Sequence, residues 1–99
     1  MLDIRHGENR QVLLSGRLDA AQAPRAQEFL DQVEAPCVLD MGGLEYISSA
    51  GLGVLLKTHK RLMASGRGIS LVNVNPHIID IFRYSGMDKL FSVEVAPDA

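Results

Sequence analysis

The chain has no second cysteine to pair with Cys37, no apolar run near the length of a membrane span, and no marked excess of either charge. Each absence removes a class of protein. A single thiol forms no internal disulfide, so the expected compartment is a reducing cytoplasm. No apolar stretch approaches the roughly 20 residues that cross a bilayer, and residues 1–10 lack the apolar core of a signal peptide, so no membrane partner is expected. Ten Lys and Arg against twelve Asp and Glu give a net charge of −2. Nucleic acid is therefore not an expected partner, because gripping phosphates rests on a basic excess. One cysteine and the scattered His6, His59 and His77 offer neither a Cys-x-x-Cys nor a His pair four residues apart, so no metal and no cofactor is expected. Linkers, repeats and low-complexity stretches are missing as well. What is present, 99 residues with 46% apolar and 22% charged side chains, reads as a single folded domain over 1–99.

Punctuation residues cut the chain into alternating strand-like and helix-like pieces. Leu2–His6 and Gln11–Ser15 read as strands around a break at Gly7, Glu8 and Asn9, and Gly16-Arg17-Leu18-Asp19 ends the second. Asp19 is then a candidate N-cap, with Pro24 in the first turn and Ala26, Phe29, Leu30 and Val33 at helical spacing, which predicts a helix over 21–34. Pro36 restarts an extended segment. Cys37-Val38-Leu39 is apolar without alternation, as in a strand covered on both faces, and Gly42-Gly43 breaks it. Leu52, Leu55, Leu56, Leu62 and Met63 form one stripe of a second helix stopped at Gly66. Lys57, Lys60 and Arg61 lie on its other side and, with Arg67, read as a solvated cluster. Ile69–Val72 is a strand. Asn75-Pro76 opens a third helix carrying Ile78, Ile79, Ile81 and Phe82, which Gly86 closes, and Phe91, Val93 and Val95 alternate in a last strand. The order β-β-α-β-α-β-α-β predicts an α/β fold, a mixed β-sheet with helices packed on it.

Few residues carry chemistry. A hydrolase elbow needs Gly-x-Ser-x-Gly with a His base, and Ile47-Ser48-Ser49-Ala50-Gly51 lacks the first glycine, so no enzyme is expected. Gly51-x-Gly53 lacks the rest of a dinucleotide fingerprint. His59 reads as a half-buried structural imidazole and Cys37 as a small hydrophobe. There remains a serine pair at the mouth of a helix. Serine there is an ordinary N-cap. The same place also suits a phosphate, since the first-turn amides of Gly51, Leu52 and Gly53 and the positive end of the helix dipole favour an anion.

The stretch Val38-Leu39-Asp40-Met41-Gly42-Gly43-Leu44-Glu45-Tyr46-Ile47-Ser48-Ser49-Ala50-Gly51-Leu52-Gly53 closely resembles the signature of STAS domains, and among them the anti-sigma factor antagonists of bacterial partner switching. Gly16-Arg17-Leu18-Asp19 and Phe82-Tyr84-Ser85-Gly86 resemble further family segments, so the likeness runs through most of the chain. The resemblance implies the STAS fold and a protein-binding switch. An unmodified antagonist binds an anti-sigma factor that is also a serine kinase and so frees the sigma factor. Phosphorylation of the signature serine dissociates the pair, and a PPM-type phosphatase reverses it. Counting back from Gly51 places the acceptor at Ser49, with Ser48, which stands where the family usually has Asp, as the lesser candidate. Asp19, Asp40, Tyr46, Ser48, Ala50, Gly51, Leu52 and Gly53 are the implied partner-binding residues, with Asp19 and Asp40 close to the acceptor. The alternative that the resemblance leaves open is a STAS module of another complex, a stressosome-like scaffold or a lipid-transporter accessory subunit.

Overall fold

The structure, a computed structural model, describes residues 1–34, 37–66 and 68–95; Pro36, Arg67 and the side chains of Arg10 and Val95 lie outside the described residues. Five strands form one sheet in the order β1-β2-β3-β4-β5: β1 (Leu2–His6), β2 (Gln11–Leu18), β3 (Cys37–Ile47), β4 (Ile69–Val74) and β5 (Ser92–Val95). β1 runs antiparallel to β2, and every later pair is parallel. The three helices α1 (Ala23–Leu30), α2 (Ser49–Ala64) and α3 (Pro76–Ser85) are the crossovers, so the element order and the mixed sheet are as the sequence implies. Because each crossover advances in the same direction across the sheet, the right-handed rule puts all three helices on one face. Phe91 ties two of them together, its ring 4.9 Å from that of His59 on α2 and 6.3 Å from that of Phe82 on α3.

Burial follows from that layering. Val12, Leu14 and Leu18, then Cys37, Leu39 and Met41, then Ile69 and Leu71 are buried toward the helices, while the residues between them are half-buried or, at Arg17, exposed. Val38 is one of these, so β3 is covered on one face and not on both. Its apolar run reflects a central position between β2 and β4 rather than a second helical layer. Gly42-Gly43 also does not end the strand. β3 continues to Ile47, with two register shifts against β2, and an added Cβ at Gly43 would lie 2.6 Å from that of Ser15. The glycine lets a bulged strand stay close to its neighbour.

The helices differ from the sequence reading mainly at their ends. α1 starts at Ala23, because the Asp19 carboxylate and carbonyl first close a turn on the Gln22 amide, at 3.0 and 3.1 Å. It ends at Leu30, where the Arg61 guanidinium donates to the carbonyls of Leu30 and Val33, at 2.8 and 2.6 Å. Arg61 is thus a cross-helix cap for α1 rather than part of a solvated cluster. On α2 the buried stripe is Gly51, Val54, Leu55, Thr58 and Leu62, with Leu52 and Leu56 at its flank and Met63 55% exposed. α3 is as expected: Asn75 Oδ1 accepts from the Ile78 amide at 3.0 Å, Pro76 occupies the first turn, and Gly86 takes the left-handed conformation that ends it.

Candidate functional site

The C-terminal end of β3 passes directly into α2, and one carbonyl organises the junction. The backbone N–H of Ser48 donates to the Leu18 carbonyl at 2.9 Å, and the Ser48 hydroxyl donates to the same oxygen at 3.2 Å. Ser48 Oγ in turn accepts from the Gly51 amide at 3.1 Å, and the Ser48 carbonyl accepts from the Leu52 amide at 2.9 Å. Half-buried and extended in backbone, Ser48 is the N-cap of α2, with its hydroxyl used both as donor and as acceptor. The amides of Gly51 and Leu52, expected to face outward for an anion, are therefore already taken.

Ser49 is the first residue of the helix proper and is exposed, as is Ala50. Among the described residues no hydrogen bond engages the Ser49 hydroxyl. Gly51 does not belong to the exposed face: it is buried, and an added Cβ would meet Leu18 Cγ at 2.8 Å, Ile47 Cγ1 at 2.9 Å and the Leu18 carbonyl at 2.9 Å. It lets the first turn of α2 lie against the ends of β2 and β3, which holds Ser49 outward. Gly53 is its opposite, exposed with nothing within 4 Å of an added Cβ. Leu52 is half-buried beside them. Asp19 follows Leu18, whose carbonyl anchors Ser48, so its carboxylate belongs to this end of the molecule. Tyr46 is half-buried, with the Arg17 guanidinium 4.4 Å from its ring centroid.

Asp40 is not brought to this site. The stretch from Asp40 to Ile47 pairs with Leu13 to Leu18, five strand steps, or roughly 16 Å at about 3.3 Å per residue. Its carboxylate instead accepts from the Gly42 amide at 2.9 Å and from Asn73 Nδ2 at 3.1 Å, which ties the bulge of β3 to β4. Against the expectation that it neighbours the acceptor, Asp40 is a mid-sheet brace. Sequence reasoning also missed residues that are at the site. The Leu18 carbonyl leaves no mark in a side-chain pattern. An open groove of about 470 Å³ at Ala50 and Gly53, which the sequence reading did name, is lined also by Ala20, Ala23, Pro24 and Gln27 from one side and by Val54 and Lys57 from the other. Ala20, Ala23, Pro24 and Val54 carry no polar group for a sequence reading to single out, and Gln27 and Lys57 are the polar members of the lining.

Three titratable groups elsewhere have structural places. His59 lies ten residues along α2 from Ser49, about 15 Å at ~1.5 Å per residue, and its Nδ1 accepts from the Ile69 amide at 3.1 Å. It is the half-buried structural imidazole the sequence suggested and no base for Ser49. His6 packs its ring 4.8 Å from Phe29. Burial pushes the Cys37 thiol up to about 11, with Arg61 opposing, so it stays a neutral, buried thiol. Among the described residues no group of three His, Cys, Asp or Glu is placed to hold a metal ion, and no helix is long and apolar enough to cross a membrane.

Residues 2–93 match the family model described as Mlab, STAS domain. The chain is 36% identical over 90 residues to BtrV of Bordetella bronchiseptica, described as an anti-sigma factor antagonist, with 87% of this chain and 78% of that protein covered. It is 27% identical over 96 residues to the anti-sigma-B factor antagonist of Bacillus subtilis, covering 93% and 88% of the two chains. In fold it resembles an anti-sigma factor antagonist from Mycobacterium paratuberculosis, with a TM-score of 0.77 at 23% identity over 99% of this chain and 87% of the other.

Proposed function

Since the chain belongs to the STAS domain family, with anti-sigma factor antagonists among its relatives, we propose that it is itself an anti-sigma factor antagonist whose docking face is the start of α2 and whose switch is phosphorylation of Ser49. The observation that carries the reading is the contrast within the serine pair. Ser48 is spent on the cap, whereas the Ser49 hydroxyl is exposed, engaged by no hydrogen bond among the described residues, and next in sequence to Ala50 on the wall of an open groove. The partner is an anti-sigma factor with serine-kinase activity. Docked over Ser49, Ala50, Gly53 and the groove, it occludes its own sigma-binding surface and releases the sigma factor.

Transfer of a phosphoryl group to Ser49 adds nearly two negative charges. The scaffold tolerates them, since the group sits at the positive end of the α2 dipole. A closed interface does not, and Asp19 adds like charge on the same side. Asp40, about two Debye lengths away, contributes little. A cost of about 3 kcal/mol is more than a hundredfold in affinity, enough for release. A PPM-type phosphatase removes the phosphate and resets the switch. No large rearrangement is required, because the charge appears where the partner must sit.

The test is kinase capture followed by mass spectrometry. Ser49→Ala should bind the cognate anti-sigma factor and accept no phosphate, and Ser49→Asp should bind at least about a hundredfold more weakly than the parent. Modification at Ser48 with Ser49 intact, or tight binding by Ser49→Asp, would sink the assignment. One finding favours a second reading: the family model that fits the chain is described by Mlab and not by sigma-factor control. A STAS module of another complex, such as a stressosome-like scaffold or a lipid-transporter accessory subunit, would use the same face without any phosphate entering at Ser49.

A further inference from the structure

The open edge of β1 is self-complementary, and we propose that two copies of this chain associate through it, extending the sheet by antiparallel pairing of β1 with β1 about Ile4. The register with β2 decides which backbone groups are free. Leu2 to His6 pair with Gly16 to Val12, and the bonds from the Arg17 amide to the Met1 carbonyl and from the Gly7 amide to the Gln11 carbonyl show that the odd-numbered residues form the hydrogen-bonded pairs. The N–H and C=O groups of Leu2, Ile4 and His6 therefore point away from β2, toward the edge. Arg25 confirms the direction by donating to the Leu2 carbonyl at 2.9 Å, and a carbonyl oxygen has a second lone pair for another donor.

A second β1 has only a few registers that match these outward groups. With Ile4 on the two-fold axis, Ile4 pairs with Ile4 and Leu2 with His6 of the other copy, using all five residues. Asp3 then falls opposite Arg5 in both halves, as non-hydrogen-bonded pairs whose side chains approach most closely. Shifting by two in either direction would set Asp3 against Asp3 or Arg5 against Arg5. Charge on an edge strand deters pairing unless its opposite stands across from it; here the two exposed side chains on the helix-free face are one acid and one base, 56% and 69% exposed. Within one chain they form a long, solvent-exposed ion pair at 3.8 Å, which contributes little and which cross-strand partners would replace.

The helix-side surface of the edge is also prepared. An open groove of about 450 Å³ runs between β1 and α1, lined by Ile4, Arg25, Glu28, Phe29 and Gln32. A second copy's β1 would run along the mouth of this groove, with Ile4, only 6% exposed, staying in its own core in each copy. The partner surface is thus another copy of this chain, and it lies on the strand farthest from β4 and β5, apart from the Ser49 end of α2.

Sedimentation equilibrium of the full chain from about 10 μM to about 1 mM reads the association directly. A concentration-dependent dimer is expected. Asp3→Arg and Arg5→Asp, each placing like charges opposite one another, should weaken it about tenfold or more. The double variant Asp3→Arg with Arg5→Asp recreates the complementary pattern and should restore the parent's association. A strictly monomeric parent at the highest concentration overturns the proposal, as does a dimer that the single reversals leave unchanged or the double variant fails to recover.

Discussion

Two helices of this protein begin with the same device and put it to different use. Ser48 caps α2 and Asn75 caps α3, each accepting from the amide three residues on, at 3.1 and 3.0 Å. Each is also braced by a carbonyl from elsewhere: Ser48 donates to Leu18, and Asn75 Nδ2 donates to the Leu44 carbonyl at 2.8 Å. The residues beyond the cap separate them. After Asn75, the first turn of α3 drives Ile78 and Ile79 into the core. After Ser48 come Ser49 and Ala50 in solvent, Gly51 wedged against β2 and β3, and Gly53 with open space around it. Capping thus stabilises both starts, but of the two only the α2 start leaves an exposed hydroxyl and an exposed glycine.

The largest expected effect lies on the closed side of this comparison. Ile78→Ala removes a side chain with no exposure and should cost about 3 kcal/mol in denaturant unfolding, whereas Ser49→Ala should stay within about 0.5 kcal/mol of the parent. Equal losses at both positions would erase the distinction between a structural and a presented helix start. Next comes Gly51→Ala, whose methyl meets Leu18 and Ile47 below 3 Å. It should lose about 1–3 kcal/mol of stability and weaken partner capture as the turn is pushed away from the sheet. The smallest effect is at Gly53. Gly53→Ala in an open helical position should raise stability by up to about 1 kcal/mol while weakening capture of the partner, read by thermal unfolding and by titration calorimetry side by side. A variant that binds as well as the parent would place the docking face elsewhere on α2.

Most of the helix and strand pattern was legible because it rests on local rules. Asn75-Pro76 and Gly86 bracket α3 through capping and left-handed backbone, which depend on residues a few positions apart. The errors arose where distant contacts intervene. α1 stops early because Arg61, thirty-one residues beyond Leu30, takes its terminal carbonyls. Gly42-Gly43 reads as a break, yet β2 holds the strand together through two bulges. Asp40 and Asp19 look alike on paper, and only the register separates the mid-sheet brace from the residue beside the serine pair.

By itself the sequence determined the alternating order of strands and helices, the family, and the serine pair at the mouth of the second helix. Those rest on periodicity, turn chemistry and a contiguous motif. Tertiary structure alone decided that Ser48 is the serine spent on the cap while Ser49 stays exposed. The Leu18 carbonyl, thirty residues before Ser48, fixes one hydroxyl in the cap. Gly51, seated against the same strand end, turns its neighbour toward solvent. A hydrogen bond to a backbone carbonyl so distant in the chain has no side-chain signature, so the motif, which already favoured Ser49, carried no physical reason for the preference; the folded molecule supplies one.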